Sequence, residues 1–349
     1  MKKKLALALA AAMMLSLALT GCGGNDKPAS TGSADKPAAS ASASAATSEP
    51  AGLGPKDGGS NLTFTTGGET GTYYGFGNVI ANKVGDLTST SVKAISSGGS
   101  ASNIQALEDG DAQLGFVQSD VMVYAYNGER TFAETGASTG FSTVANLYME
   151  QVQIVTVDPS IKTVADLAGK KVSVGAAGSG VYFNAVDVLG IYGLDIEKDI
   201  VPTYQSFGDS AEALKDGQID AAFIVAGAPT TAITDLSTSG QVYLVSIDDE
   251  HVDKLIASSP YYSKYTVSAD TYGMPEDAQT VAVAAMVLAR NDVSEDAIYT
   301  FVSTIFDNAD QLQHGKAAEL SLEFASSISS VPYHPGAARY FAEKGFDVA

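Results

Sequence analysis

The sequence predicts an α/β fold in which two lobes enclose a ligand cleft and are joined by crossing strands. Strand and helix signals alternate along the chain, which is typical of crossover units and a mostly parallel sheet. The alternation occurs twice, and this repeat indicates one lobe over about 61–155 and 287–349 and a second lobe over about 156–286. Apolar runs near 153–157 and 283–290 are the expected crossings between the lobes.

The elements of the first lobe follow one another with Gly or Asp between them. Apolar residues at every second position predict the strands, and apolar residues three and four positions apart predict the helices. In order, the predicted elements are a strand at 62–65, a helix at 73–84, a strand at 91–96, a helix at 101–108 and a strand at 113–117.

The same pattern continues through the second lobe and the return to the first. Ser294 stands in an N-cap position before apolar residues that share one helical face, which predicts an amphipathic helix packed across the sheet. The strands are predicted at 153–157, 171–175, 200–204, 221–225, 242–246 and 280–289, and the helices at 164–167, 179–192, 211–216, 232–236, 251–257 and 294–308.

A glycine-rich turn joins the first strand to the first helix. Residues 66–74 read Thr-Gly-Gly-Glu-Thr-Gly-Thr-Tyr-Tyr, and glycine lets the backbone approach a ligand closely. The first N–H groups of the following helix have no intrahelical partner, so the turn can hold an anion or a polar ligand. It lacks the Gly-Lys-Ser/Thr ending of a nucleotide loop and the three spaced glycines of a dinucleotide fingerprint. An ordinary turn between two elements is the alternative.

The composition argues against several classes of function. The chain has 349 residues, a formal net charge of −20 and a pI near 4.3, and this acidity argues against nucleic acid as a partner. Its three His residues are far apart and lack the spacing of metal ligands, so we expect no metal site and no cofactor. Trp is absent, which weakens a sugar-stacking interpretation.

The N-terminus resembles a bacterial lipoprotein signal. Lysines at 2–4 precede an apolar run over 5–19 that is too short to span a bilayer comfortably, and Leu-Thr-Gly-Cys then ends at Cys22. In such a lipobox the cysteine is lipidated and begins the mature chain, so residues 1–21 are the predicted signal peptide. Residues 22–60 are rich in Ala, Ser, Gly and Pro and are predicted to form a flexible tether. A buried core helix with a stray cysteine is the alternative.

The sequence lacks the usual residues of a hydrolase. Gly178-Ser179-Gly180 departs from a nucleophile elbow, which requires Gly where the chain has Ala177 and Val181. Acyl transfer also has no evident base, because His residues are few. Turns rich in glycine and hydroxyl groups instead follow many predicted strands, and without catalytic partners they favour binding over turnover. These turns lie at 96–100, 118–119, 176–180, 207–210 and 226–229.

Short motifs occur in a fixed order through the folded part of the chain. They are Thr-Gly-Gly-Glu-Thr-Gly-Thr-Tyr-Tyr at 66–74, Ser-Gly-Gly-Ser at 97–100 with Asn103, Gly-Phe-Val-Gln-Ser-Asp at 115–120, Val-Gly-Ala-Ala-Gly-Ser-Gly at 174–180, Phe-Ile-Val-Ala-Gly-Ala-Pro at 223–229 and His-Pro-Gly-Ala-Ala-Arg at 334–339. Together they resemble the TAXI family of TRAP-transporter solute receptors over roughly 61–349. The fourth motif departs from the family, which often has Pro where this chain has Ala176 or Ala177.

The resemblance implies an extracytoplasmic receptor with a periplasmic-binding-protein-like (type II) fold. Its lobes would close on a small carboxylate or amino acid, with glutamate or glutamine as the leading expectation, and deliver it to an ion-gradient-driven TRAP permease. We expect a monomer, tethered through Cys22 on the periplasmic or outer side of the membrane. The last motif, 334–339, is predicted to start a C-terminal helix. The pocket positions implied by the family are Gly71, Thr72, Tyr73, Ser97, Ser100, Gln118, Ser119, Ser179, Gly180, Ala226 and Gly227.

The sequence leaves two functions of other classes as alternatives to a solute receptor. A surface hydrolase would form product steadily and lose that activity on a change such as Ser179→Ala. An adhesin or structural surface antigen would need no cleft, and the folded region has no repeats that favour it.

Overall fold

A ten-stranded mixed sheet runs through residues 59–349, the part of the chain that the computed structural model describes. The predicted signal peptide, Cys22 and nearly all of the predicted tether lie outside the described residues. The strands are β1 (Asn61–Thr65), β2 (Ser91–Ile95), β3 (Leu114–Gln118), β4 (Phe141–Thr156), β5 (Lys171–Ser173), β6 (Val201–Thr203), β7 (Ala221–Ala226), β8 (Tyr243–Leu244), β9 (Ser263–Val267) and β10 (Ala278–Arg290).

The two ends of this sheet are parallel, whereas its centre is antiparallel. The strand order is β2-β1-β3-β10-β4-β7-β5-β6, with β8 beside β4 and β9 beside β10. Parallel pairs join β1 to β2 and β3, and β5 to β6 and β7. The long strands β4 and β10 run antiparallel to each other and to their outer neighbours. The prediction of a mostly parallel sheet is therefore wrong at the centre, because the chain crosses through β4 and returns through β10.

Helices cover both faces of the sheet. Some begin where the sequence predicts a cap: the Ser294 side chain accepts a hydrogen bond from the Ala297 N–H, and the predicted C-terminal helix starts after His334. The helices are α1 (Thr72–Leu87), α2 (Ser100–Glu108), α3 (Ser119–Asn127), α4 (Val181–Ile191), α5 (Phe207–Lys215), α6 (Thr231–Ser239), α7 (Asp249–Ser258), α8 (Glu295–Asp307), α9 (Leu322–Ala325) and α10 (Pro335–Glu343). Short 3-10 turns lie at Arg130–Glu134, Val164–Leu167, Ala269–Thr271, Ala309–Gln311 and Gly315–Glu319.

Each lobe has its own apolar core. In the first lobe, which contains β1, β2 and β3, Phe64 stacks on Phe116 with ring centres 4.9 Å apart and meets the edge of Phe301 from α8. In the second lobe, which contains β5, β6 and β7, buried residues such as Val172 and Phe223 pack against α4 and α7. The predicted lobe boundaries fall within β4 and β10, which belong to both lobes, and they stay a prediction.

Most predicted elements match observed ones, but α3, β9, most of β4 and the short helix α9 were not predicted. Helix α3 is buried on all sides from Ser119 to Ala125, so its apolar residues show no helical period. Strand β9 is exposed at nearly every position and carries little apolar signal. The prediction at 153–157 covers only the end of β4, because polar residues such as Asn146 interrupt the apolar pattern over 141–152. None of the helices over 59–349 is both long and apolar enough to cross a membrane.

Candidate functional site

A cavity lies where the carboxyl ends of the parallel strands of both lobes meet. The loops that follow β1, β2, β5 and β6 and the last residues of β3 and β7 contribute to its wall, and the space measures about 550 Å³, including the part open to solvent. Ligands of open α/β sheets occupy this position. Nine of the predicted pocket residues line it: Gly71, Thr72, Tyr73, Ser97, Ser100, Gln118, Ser179, Gly180 and Ala226.

The starts of three helices face this cavity without a side-chain cap. The N-cap residues of α1, α2 and α4 are Gly71, Gly99 and Gly180, and no side chain accepts a hydrogen bond from the first-turn N–H groups of these helices. Helices α7 and α8 have side-chain caps, from Asp248 and Ser294, and so does α5 at the cavity, from Ser206. Uncapped first-turn N–H groups carry partial positive charge and form a site suited to a carboxylate.

Two buried polar atoms at the cavity lack a partner among the described residues. They are Gln118 Oε1 and Ser179 Oγ, on side chains that are 2% and 8% exposed. The other end of the Gln118 amide is fixed, because Nε2 donates to Asn184 Oδ1 at 2.8 Å. Buried polar atoms are normally paired, so these two are suited to hydrogen bonds with a bound molecule.

Glu150 also lines the cavity, although no sequence motif indicates it. This residue of β4 is 2% exposed, and its Oε2 accepts a hydrogen bond from the Tyr73 hydroxyl at 2.8 Å. Burial raises the pKa of Glu150 to about 8, although the Tyr73 hydrogen bond and the Lys316 charge oppose the rise. The Tyr73 ring is held in place by stacking on Phe116, with ring centres 4.6 Å apart.

Two predicted pocket residues, Ser119 and Gly227, do not line this cavity. Ser119 is the first residue of α3, and its hydroxyl accepts from the Ala284 N–H at 3.3 Å in a separate cavity beside Tyr261. The Gly227 carbonyl instead accepts a hydrogen bond from the Thr72 hydroxyl at 2.9 Å. A Cβ at Gly227 would meet Lys316, so glycine is needed there for packing.

Other residues that line the cavity are absent from the predicted pocket positions. Phe207, at the start of α5, lies within the glycine- and hydroxyl-rich turn 207–210, and its ring would be 3.3 Å from a Cβ on Gly71. The aromatic ring therefore closes one side of the cavity. The hydroxyl groups of this turn predict a binding loop, whereas nothing in the sequence predicts that the Phe207 ring faces the cavity.

The two lobes touch each other around the cavity. The Ala232 N–H donates to the Thr70 carbonyl at 3.2 Å, and the Ser102 N–H donates to the Gly178 carbonyl at 3.0 Å. Farther out, Arg130 of the first lobe pairs with Asp187 of the second at 2.7 Å. The described structure is therefore a closed arrangement of the lobes. Within residues 59–349, no cluster of three or more His, Cys, Asp or Glu side chains is placed to hold a metal ion.

Comparison with known proteins identifies the fold and a family match. A model described as the NMT1-like family matches residues 64–345. Among solved structures, MatC from Rhodopseudomonas palustris with bound malate has a TM-score of 0.50 at 14% identity, covering 74% of this chain and 86% of MatC. SsuA from Xanthomonas axonopodis pv. citri bound to MOPS has a TM-score of 0.48 at 17% identity, covering 81% and 83%. The predicted fold class, a type II periplasmic-binding-protein-like α/β fold, is confirmed.

Proposed function

From two premises, that the chain belongs to the NMT1-like family and that its lobes enclose a solute-sized cavity, we propose that it is an extracytoplasmic solute-binding receptor. In this role it captures a small carboxylate or amino acid and hands it to a membrane import system. The lobes open to admit the solute and close over it. Binding of malate by MatC, which shares the fold, is consistent with a small carboxylate as solute.

One observation carries this proposal: three uncapped helix starts face one cavity that also contains unpartnered buried polar atoms. The helix starts favour a carboxylate, while Gln118 Oε1 accepts a hydrogen bond from another group of the solute. Such a wall binds a small polar molecule without an arginine clamp.

The transport partner is proposed from the sequence motifs. Their resemblance to the TAXI family favours a TRAP-type permease driven by an ion gradient, with a glutamate-like solute. The lipobox at Cys22 favours a receptor that is lipid-anchored on the outer side of the membrane. We further propose that the receptor works as a monomer with the lobe boundaries given above.

Hydrolysis is less well supported than binding. The Ser179 hydroxyl, the nucleophile that the hydrolase alternative requires, lines the cavity but has no hydrogen-bond partner among residues 59–349. A serine needs an adjacent base to attack a substrate, so the geometry favours a binding role for Ser179.

A thermal-shift screen tests the proposed function. The full protein is heated with amino acids, 2-oxo acids and dicarboxylates, because a solute that binds only the folded state raises the melting temperature. We expect a selective increase that is lost in Gln118→Ala and kept in Gln105→Ala, which alters an exposed glutamine of α2. Failure of every solute to raise the melting temperature, in protein shown to carry no co-purified solute, would contradict the proposal.

A further inference from the structure

We propose that Glu150 determines which solutes the cavity accepts, by receiving an ammonium group of the solute. This inference rests on the proposed receptor function and narrows its solute class to amino acids, as opposed to 2-oxo acids and dicarboxylates of the same carbon skeleton.

The charged residues that line the cavity favour an ammonium group over a second carboxylate. Glu150 is the one carboxylate among the described residues that line the cavity, and no Lys, Arg or His side chain is among them. A second carboxylate placed beside Glu150 would have to share a proton with it, since like charges in one buried space cannot both ionise. An ammonium group instead supplies the missing positive charge and a charge-assisted hydrogen bond.

The groups around Glu150 supply too little positive charge to balance its ionised carboxylate. The cation whose charge acts on Glu150, Lys316, is buried and already bonded to Glu319, with 2.6 Å between Nζ and Oε1. The buried phenols of Tyr73 and Tyr148 are neutral, and Asp120 adds repulsion. Consistent with this, burial raises the pKa of Glu150 to about 8. Burial therefore favours the protonated form of Glu150 when no solute is bound, whereas a bound ammonium group favours the ionised form.

The position of Glu150 is fixed before any solute arrives. It lies on β4, where it pairs with Val283 of β10, and the next residue, Gln151, pairs with Ala226 of β7. A group held by strands on both sides and by the Tyr73 hydroxyl keeps its orientation, which suits a residue that discriminates between solutes.

Calorimetric titration of the full protein with matched solutes tests this inference. The probes are L-glutamate with 2-oxoglutarate and L-alanine with pyruvate, each measured with wild type, Glu150→Gln and Glu69→Gln. Glu69 is an exposed acid of the turn 66–74 that does not line the cavity, so its variant controls for net charge.

We expect the wild type to bind the amino acid of at least one pair more tightly than its oxo acid. Glu150→Gln should weaken amino-acid binding by about 10- to 100-fold, the loss of one charge-assisted hydrogen bond, without weakening the oxo acid. Glu69→Gln should keep the wild-type preference. Titrations at pH 7 in buffers of different ionisation enthalpy should show proton release by the wild type that Glu150→Gln lacks.

Three outcomes would overturn the inference. One is tighter wild-type binding of the oxo acids, and a second is equal selectivity in wild type and Glu150→Gln; both leave the receptor function standing. The third is no binding of any of the four probes, in which case the wider thermal-shift screen decides separately whether the receptor function also fails. The wild-type preference and its proton release need no variant, so they test the inference even if Glu150→Gln does not fold.

Discussion

Replacing Gly180 with alanine should push the Gln118 side chain out of the cavity wall. A Cβ at position 180 would lie 1.5 Å from Gln118 Oε1 and 3.0 Å from Ser100 Oγ. Gly180 has a φ of −71°, which any residue adopts, so the effect is steric and involves no backbone strain. The amide must therefore move, and the hydrogen bond from its Nε2 to Asn184 is lost.

The expected loss of stability follows from the displacement of the Gln118 amide. Leaving a buried polar partner unpaired costs about 1–3 kcal/mol, and the lower entropy of an unfolded chain with alanine offsets about 0.4–1 kcal/mol of it. We therefore expect the free energy of unfolding to fall by about 1–2 kcal/mol. If Gln118 Oε1 accepts a hydrogen bond from the solute, affinity should fall by about tenfold or more, since about 1.4 kcal/mol corresponds to tenfold.

Urea unfolding and calorimetric titration measure these two effects. Gly190→Ala is the matched control, because Gly190 lies in the same helix, α4, with nothing within 4 Å of its would-be Cβ. The control should be more stable by about 0.5–1 kcal/mol and keep its affinity. Wild-type affinity in Gly180→Ala would refute the role of Gln118 in solute binding.

Three further substitutions test other contacts. Tyr73→Phe removes the hydroxyl that donates to buried Glu150, so the free energy of unfolding in urea should fall by about 1–3 kcal/mol, and an unchanged value would show that this bond contributes nothing. Burial raises the pKa of Asp120 from its ordinary 3.8 to about 7, so the native state keeps this proton longer than the unfolded state does. Stability should then fall as pH rises from about 4 to 7, and urea midpoints should show a smaller fall in Asp120→Asn; parallel curves would contradict this. Gly336→Ala places a Cβ 2.1 Å from a backbone carbonyl of α8 and should cost about 3 kcal/mol, whereas Gly85→Ala, with open space, should add about 0.5–1 kcal/mol; equal thermal stability of the two variants would refute the packing account.

The fold could be predicted from the sequence where the pattern is local. Strand β1 and helix α1 have clear apolar periods separated by a glycine-rich turn, so their bounds agree with prediction within a few residues. The direction of β4 and β10 could not be predicted in the same way, because antiparallel pairing at the sheet centre depends on contacts between residues far apart in the chain. For α3, burial on every side removes the amphipathic signal that would identify a helix.

Only those residues of the site that lie in glycine-rich turns could be predicted from the sequence. Residues such as Gly71 and Ser179 stand in glycine-rich turns after strands, and the fold brings those turns together. Glu150 lies inside a strand, and it is buried beside Tyr73 and Lys316, which are far from it in the chain, so no local pattern indicates its place in the site. Ser119 follows Gln118 directly but is the first residue of α3, and it lines the separate cavity while Gln118 lines this one.

A crystal structure with the solute that gives the largest thermal stabilisation would test the central claim most directly. The proposed site predicts a solute carboxylate within about 3 Å of backbone N–H groups at the start of α1, α2 or α4, and a solute donor bonded to Gln118 Oε1. A solute found in the separate cavity beside Ser119 and Tyr261, with the space between the lobes unoccupied, would contradict it.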